Sequence, residues 1–229
     1  MSLKVSVIIP VYNGEAFLRA AIASAFAQTY EPHEVIVIDD GSTDGSAAIA
    51  KSFPVVYAHQ ENQGLAATRN AAIAMASGDV FALLDCDDIW VPAKLAEQVT
   101  ALQNEPEAGY ALSGIRYFWE FGQAGPAWFH NNSPDPEYDP SYPPSTWMIR
   151  RAAFERVGPF KVDRLYVEDI DWLARAQDLG VKSVMIPKAL TLKRMHEENM
   201  TSKLYLIHKG MLDSLRESAA RKRAMGEGK

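Results

Sequence analysis

Strand-length apolar runs that alternate with helix-like segments constrain the fold of this chain most strongly. The runs lie at residues 4–9, 34–38, 55–58 and 80–84, and the helix-like segments at 15–27, 46–52 and 65–76. Continuous apolar runs of this length are typical of strands buried on both faces of a parallel sheet. The crossovers are long enough to join parallel neighbours, so the order β-α-β-α-β-α-β predicts half of a doubly wound α/β sheet.

Polar residues follow these strands where the chain leaves the predicted core. Pro10 ends the first run, Asp40 follows the second, and Asp85-Cys86-Asp87-Asp88 follows the last. Ligands of doubly wound sheets bind outside the carboxyl ends of the strands, where these residues converge. Closely spaced carboxylates suit a divalent cation with hard oxygen ligands, although a solvated acidic loop is the alternative when the motif is taken alone. The convergence favours the cation.

Composition narrows the function classes. A chain of 229 residues with 48% hydrophobic residues suits one soluble α/β domain, and no apolar run approaches the roughly 18 residues of a membrane span. The net charge of −6 argues against nucleic-acid binding. The start of the chain, without a basic leader, and the single Cys86 predict a cytoplasmic protein without an intrachain disulfide. Neighbouring carboxylates should raise the pKa of that thiol and make it unreactive.

The second half is less regular. After a predicted helix at 92–103, residues 110–147 are rich in aromatic residues, Pro, Gly and Asn, which indicates either a loop-rich surface that stacks on a sugar or a poorly ordered connector. The segments that follow are a short helix at 149–157, a helix that starts with the carboxylates 168, 169 and 171, and strands at 182–186 and 189–193.

The chain closes with a helix predicted at 202–225. Its apolar stripe consists of Leu204, Ile207, Met211 and Leu215. We expect this stripe to pack on its own domain, with a homodimer through the C-terminal helix as the alternative. Basic residues at 216 and 221–223 predict at most weak attraction to the inner face of a membrane, and a solvated helix end is the alternative.

Together, the ordered motifs resemble the family 2 inverting glycosyltransferases. The matching segments are residues 5–13, 37–44, 62–70, 78–79, 84–88, 168–169 and 194–196. The resemblance covers most of residues 4–201 and implies a single-domain GT-A fold, Rossmann-like, with a DXD metal motif. It implies a donor-binding half at 1–105, an acceptor-binding and catalytic half at 106–201, and a C-terminal helix at 202–229. Many relatives have a longer C-terminal region, so the acceptor is left open.

The resemblance also implies a donor, a nucleotide diphosphate sugar that we expect to be UDP-linked. The implied donor-binding residues are Pro10, Val11, Tyr12, Asn13, Glu15, Asp40, Arg69, Asp85, Cys86, Asp87 and Arg194. The first three offer an apolar floor for uracil, and the carboxylate of Asp40 can accept its N3–H. Asp85 is placed for the ribose and Arg69 for base or phosphate, although a solvated arginine is the alternative. Asp39 and Asp88 are expected to be structural.

Catalysis is implied to need Mn2+ or Mg2+, held by Asp87 and His196. The metal and Arg194 would stabilise the departing diphosphate. Asp169 is the expected base for attack by a hydroxyl of a glycan or glycolipid acceptor, as in polysaccharide or cell-surface glycan synthesis. Glu168 would orient the acceptor or raise the pKa of Asp169 by like-charge repulsion.

Three rivals share parts of this pattern. A phosphohydrolase of the haloacid dehalogenase type also has Asp-x-Asp after a strand, but places it on the first strand. A nucleotidyltransferase needs a glycine-rich basic loop that residues 11–15 lack. A catalytically inactive nucleotide-sugar-binding subunit would keep the fold, and the presence of Asp87, Asp169 and His196 counts against it.

Overall fold

The computed structural model describes residues 2–119, 135, 137–197, 199 and 204–226. The strands are β1 (Val5–Val11), β2 (Glu34–Asp39), β3 (Val56–His59), β4 (Val80–Leu83), β5 (Ile89–Trp90), β6 (Ala108–Phe118), β7 (Met148–Arg150) and β8 (Lys182–Arg194). The helices are α1 (Leu18–Phe26), α2 (Ser46–Lys51), α3 (Leu65–Met75), α4 (Lys94–Asn104), α5 (Arg151–Val157), α6 (Glu168–Asp178) and α7 (Leu204–Gly226), with a 3₁₀ turn at Pro144–Thr146. All eight strands form one sheet in the order β3-β2-β1-β4-β7-β6-β8-β5.

The first four strands confirm the predicted parallel half of the sheet. β1 lies between β2 and β4, and β3 pairs with the outer edge of β2, all in parallel. Pro10 lies inside β1 rather than at its end, opposite Ile38. Its missing N–H costs nothing, because the nitrogen faces β4 beyond the last pair, Ile8 with Leu83.

The second half contains strands that the sequence did not predict. The expectation of a loop-rich surface is wrong for residues 110–118, which belong to the long and mostly buried β6. Its small residues, such as Gly109 and Gly114, hide the strand pattern but allow close packing: a Cβ on Gly114 would lie 2.2 Å from Tyr138. Residues 120–134 and 136 of the predicted loop-rich stretch lie outside the described residues. β7 and the two-residue β5 were also missed, and the predicted helix at 149–157 begins only at Arg151.

The two strands predicted at 182–186 and 189–193 form one continuous strand, β8. It runs parallel to β6, and the register shifts where Ser113 faces Ile186 and Gly114 faces Ala189. This irregularity accommodates Pro187, which cannot donate to the ladder. β7 pairs antiparallel with β4 and β6, and β5 pairs antiparallel with β8, so the sheet is mixed beyond β4.

Helices cover both faces of the sheet. On one face, α1 and α4 pack in the same buried cluster as Val5, Val7 and Ile9 of β1. On the other, α3, α5 and α6 cover Ile8 together with an aromatic cluster that includes Trp147 and Trp172. Helices therefore cover both faces of the sheet, and the carboxyl ends of its strands remain available to form a site.

Helix α7 packs on α6, and small residues of α7 are buried in this contact. A Cβ on Gly210 would lie 2.5 Å from Val167, and Ser214 and Ser218 are buried. The expected packing of Met211 and Leu215 is wrong, since these side chains are 37% and 61% exposed. Within the residues described, none of the helices has the length and apolarity needed to cross a membrane.

Candidate active site

A cavity of about 570 Å³ opens at the carboxyl ends of β1, β2 and β4. A cavity of this size suits a nucleotide-sized ligand. One side, which we name the strand wall, consists of Pro10, Val11, Tyr12, Asp40, residues 62–66, Asp85, Cys86 and Asp87. A second group of lining residues, which we name the loop wall, consists of Val162, Arg164, Leu165, Tyr166, Glu168, Asp169 and Ile207. Thr68, Arg69, Pro143, Pro144, Lys193 and Asn199 complete the lining.

Asp40 is a rigid acceptor at the strand wall. Its Oδ1 accepts hydrogen bonds from Gln60 Nε2 at 2.7 Å and the Gln63 amide at 2.9 Å, and its Oδ2 accepts the Gly64 amide at 2.9 Å. Gly64 has φ of 87°, which favours glycine and turns its amide toward the carboxylate. The lone pair left on Oδ2 can accept one N–H from a ligand.

Asp39 points to the other side of the strand and has a structural role. Its carboxylate accepts the Ser42 amide and the hydroxyl of Tyr57, at 2.8 and 2.9 Å. Burial, together with this carboxylate, raises the pKa of Tyr57 to about 12. Asp39 therefore braces the β2 end next to Asp40.

The structure does not bring Asn13 and Glu15 to the cavity lining. Asn13 Oδ1 accepts the Thr43 amide at 2.9 Å, and Glu15 Oε2 accepts the Gly45 amide at 2.8 Å. Asn13 also adopts a left-handed φ of 49°, which asparagine tolerates better than most residues. Both side chains hold the loop after β2 against the loop after β1, which corrects the expectation that they contact the donor directly.

The acidic stretch after β4 provides two open carboxylates and one closed one. Ligand atoms of Asp85, Asp87 and Asp88 lie within 4.8 Å of one another. Both oxygens of Asp88 are taken: Oδ1 accepts the Arg194 amide, and Oδ2 accepts Ser145 Oγ at 2.6 Å. Arg69 contacts one oxygen of Asp85, Oδ1. His196 and Asn199 contact one oxygen of Asp87, Oδ2. This set of hard oxygens fits a divalent cation.

Asp87 is held in its ionised form. Burial alone would raise the pKa of Asp87, but Lys193 and His196 outweigh burial and lower it to about 2. His196 Nε2 and Asn199 Nδ2 each lie 3.2 Å from Asp87 Oδ2. The predicted pair of Asp87 and His196 is thus brought together with Asn199, a residue that no sequence motif predicts. Cys86 lines the cavity between the carboxylates, and burial raises the pKa of its thiol well above the usual value, with Asp87 adding to the effect.

Arg194 does not reach the cavity, where the sequence predicts it, and its neighbour Lys193 does. The Arg194 guanidinium lies between the rings of Phe17 and Phe118, at 5.0 and 4.6 Å from their centroids, and its Nε donates to the Asp87 carbonyl. Arg194 does not line the cavity. Lys193 does, because neighbouring side chains on a strand point to opposite faces. Burial disfavours its charge, but Asp88 and Asp87 outweigh burial and raise the pKa of Lys193.

Arg69 joins the two walls. Its Nη1 donates to Glu168 Oε1 at 2.8 Å, and its Nη2 donates to Asp85 Oδ1 at 2.6 Å. The arginine is 1% exposed, so both contacts are shielded from water. The guanidinium is therefore engaged with two carboxylates, and its place is that of a bridge rather than an open phosphate ligand.

Asp169 and Glu168 begin helix α6 at the loop wall. Burial, with repulsion from Glu168, raises the pKa of Asp169 to about 6, while Arg69 opposes the rise. The Asp169 carboxylate accepts only the Ile170 amide, at 2.8 Å, among the described residues. A carboxylate with a raised pKa and a free oxygen in a cavity can act as a general base.

Side-chain ion pairs attach the loop wall to α7. Lys161 and Arg164 both pair with Glu217 of α7. Tyr166, two residues before Glu168, has a φ of 67°, a conformation that costs free energy for a non-glycine residue. The predicted basic patch at the end of α7 is partly neutralised, since Arg221 Nε donates to Asp178 at 2.8 Å and Lys222 lies 3.4 Å from the same carboxylate.

The model of the Glycosyl transferase family 2 matches residues 6–158. This chain belongs to glycosyltransferase family 2. It is 32% identical over 212 residues to an uncharacterized glycosyltransferase of Rickettsia typhi, over 86% of this chain and 66% of the relative. It is 33% identical over 199 residues to EpsE of Bacillus subtilis, which is assigned as a glycosyltransferase, over 82% of this chain and 71% of EpsE. The family 2 chain thus spans about two thirds of the length of these relatives.

Solved structures confirm the GT-A type α/β fold of this family 2 glycosyltransferase. The mannosyltransferase PcManGT from Pyrobaculum calidifontis, in complex with GDP-Man and Mn2+, matches with a TM-score of 0.74 at 18% identity, over 96% of this chain and 65% of PcManGT. TarS 1–349 from S. aureus, in complex with UDP-GlcNAc, matches with a TM-score of 0.72 at 22% identity, over 95% of this chain and 66% of TarS. The family assignment goes against the phosphohydrolase and nucleotidyltransferase rivals.

Proposed function

We propose that this protein is a metal-dependent inverting glycosyltransferase that moves a sugar from a nucleotide diphosphate sugar to an acceptor hydroxyl. One observation carries the proposal: a carboxylate with a raised pKa, Asp169, faces the same cavity as the open carboxylates Asp85 and Asp87. The first supplies a base, and the other two suit a cation and a diphosphate.

The strand wall suits the nucleotide. Pro10 and Val11 offer an apolar floor, and Asp40 Oδ2 has a lone pair left for an N–H of the base. Uracil and guanine both present such an N–H, and we expect uracil first. Solved structures of similar fold contain UDP-GlcNAc in one case and GDP-Man in another, which supports either nucleotide.

Asp87 would hold Mn2+ or Mg2+ together with His196, with Asp85 nearby. When bound, the cation supplies Lewis-acid stabilisation of the negative charge on a diphosphate. Asp88 would not be a ligand, because Ser145, Lys193 and the Arg194 amide already occupy its oxygens. Its part is to fix the backbone that carries Asp87.

The loop wall suits the reaction itself. Asp169 takes the proton of the acceptor hydroxyl as the hydroxyl oxygen attacks the anomeric carbon on the face opposite the diphosphate. Glu168 keeps the pKa of Asp169 raised, and Arg69 holds Glu168 at a fixed distance from Asp85. In this proposal, residues 1–105 bind the donor, and residues 106–201 bind the acceptor and supply the catalytic base. His196 belongs to the second half in sequence but acts on the donor side.

Acceptor and location form part of the same proposal. Exposed apolar side chains at the rim, Val162 and Leu165, suit the ring face or aglycone of a glycan or glycolipid. A cytoplasmic protein, peripheral at the inner face of the membrane at most, agrees with the single Cys86 and with the ion pairs of the basic tail. Met211 and Leu215 of α7 are exposed, so the proposal includes a homodimer formed through this helix.

A panel of nucleotide sugars tests the proposal. UDP- and GDP-linked sugars with Mn2+ or Mg2+ should raise the melting temperature, and one of them should be slowly hydrolysed with water as the acceptor. The matching nucleoside diphosphate should stabilise the protein as well. The proposal fails if no nucleotide or nucleotide sugar stabilises the protein in the presence of metal.

A further inference from the structure

Lys193 is a buried cation of the cavity to which the sequence motifs assign no role. The residue is 8% exposed, lines the cavity, and places its Nζ 3.2 Å from Asp88 Oδ2. A lysine ammonium has three N–H donors. Among the described residues, Asp88 receives one of them, and two are left to a ligand in the cavity.

The position of Lys193 is set by the carboxylates that suit the cation. Asp88 follows Asp87 directly, and both lie with Asp85 in one cluster of 4.8 Å. Ser145 Oγ holds the Asp88 oxygen that Lys193 contacts and also accepts the Asp85 amide. The ammonium is therefore fixed beside the place where a diphosphate would lie if Asp85 and Asp87 share a cation with it.

Other cationic side chains near this cluster are engaged elsewhere. Both terminal nitrogens of Arg69 donate to carboxylates, Nη2 to Asp85 and Nη1 to Glu168. The Arg194 guanidinium stacks between Phe17 and Phe118 and lies outside the cavity lining. Arg164 pairs with Glu217 at the loop wall. Of the cations described in the structure, Lys193 has the geometry to meet a diphosphate at the acidic end of the cavity.

We propose that Lys193 is a catalytic residue that binds the diphosphate of the donor and stabilises the charge that develops on it. This inference rests on the proposed function. In the step, the acceptor oxygen forms a bond to the anomeric carbon and gives its proton to Asp169. The bond from that carbon to the diphosphate oxygen breaks, and its electron pair stays on that oxygen. Lys193 keeps its protons throughout and donates hydrogen bonds to the departing diphosphate.

The competing explanation is that Lys193 only neutralises buried Asp88. A double variant separates the two, because Lys193→Met with Asp88→Asn removes both charges and leaves no unpaired buried carboxylate. The single variant Lys193→Met serves as the direct comparison, and thermal unfolding shows whether each variant folds. Lys188→Met is the matched control, since Lys188 lies on the same strand and pairs with Glu97 at the surface.

The measurement is calorimetric affinity for UDP and for uridine, with EDTA and then with Mn2+, and for GDP and guanosine in parallel. We expect Lys193→Met and the double variant each to lose roughly 10- to 100-fold in diphosphate affinity while nucleoside affinity stays unchanged. The control should match the wild type.

Each remaining outcome overturns the proposal. Restored diphosphate affinity in the double variant would show that Lys193 only balances Asp88. An equal loss for nucleoside and diphosphate would indicate a structural role. Unchanged diphosphate affinity in Lys193→Met itself would remove Lys193 from donor binding. If the wild type binds neither UDP nor GDP, the proposed function itself fails, and the proposed role of Lys193 fails as well.

Discussion

The strand wall and the loop wall of the cavity are stabilised by different interactions. At the strand wall, Asp40 is fixed by two backbone amides and a glutamine, on strands whose neighbours are buried on both faces. At the loop wall, the segment before Asp169 is attached by ion pairs from Lys161 and Arg164 to Glu217 of α7. These pairs are partly exposed, and such pairs contribute at most about 1 kcal/mol each.

This difference suggests how the protein divides rigidity. The strand wall is built on the sheet, so its geometry is inherited from the fold. The loop wall is attached to helix α7 and can change with it. Arg69 is the exception, a buried link that transmits the position of one wall to the other.

The largest expected effect separates the chemistry of the loop wall from the binding at the strand wall. Asp169→Asn should lower turnover by about 10³-fold, because the base is lost, and should leave UDP affinity within twofold. The control is Asp163→Asn, an exposed carboxylate of the same loop. Steady-state donor hydrolysis and calorimetry measure both quantities. Turnover like that of the wild type would remove Asp169 from the mechanism.

Arg69, which links the two walls, should contribute most to the free energy of unfolding. Arg69→Met leaves Asp85 and Glu168 without their buried partner, and we expect the free energy of unfolding to fall by about 3 kcal/mol. Arg116→Met removes an exposed pair with Glu137 and should cost less than about 1 kcal/mol. Urea denaturation measures both variants. Equal losses would mean that the bridge does not join the walls.

The pH dependence sharpens the role of Glu168. Asp169 must be ionised to act as a base, so donor hydrolysis should fall as the pH drops below about 6. Glu168→Gln removes the repulsion that helps to raise the pKa of Asp169, so this acid limb should move to lower pH. The rate profile from pH 4.5 to 8 measures the shift. An acid limb that stays in place or moves to higher pH would contradict the coupling between Glu168 and Asp169.

The smallest expected effect concerns the attachment to α7. Glu217→Gln removes the partner of Lys161 and Arg164, so amide hydrogen exchange over residues 161–167 should accelerate about two- to fivefold. UDP affinity should not change. Asp213→Asn, which removes an exposed pair within α7, is the control. If exchange in the loop is unchanged, the loop wall is as rigid as the strand wall and the comparison fails.

Sequence reasoning succeeded where local pattern and tertiary position agree. The parallel strands β1 to β4 are continuous apolar runs that end in polar residues, and they could be predicted with their order along the chain. β6 could not, since its alternating small residues have low strand propensity and acquire their conformation from packing, as at Gly109 and Gly114. β7 and β5 are too short to carry a pattern.

The site divides in the same way. Asp40, Asp85, Asp87 and Asp169 reach the cavity as their motifs predict. The roles of Lys193 and Arg194 depend on which face of β8 each side chain takes, and the bulge in that strand makes the face hard to read from the sequence. Because side chains alternate along a strand, counting from the buried Leu190 would have indicated the face that each of these two residues takes.

The configuration of the released sugar tests most directly whether the two walls act from opposite faces. Proton NMR can follow the sugar freed from a UDP-α-linked donor before its anomers equilibrate. If the strand wall holds the diphosphate and Asp169 activates the attacking oxygen across the cavity, the first product is the β-anomer. The α-anomer as first product would show attack from the face of the departing diphosphate and would contradict this account.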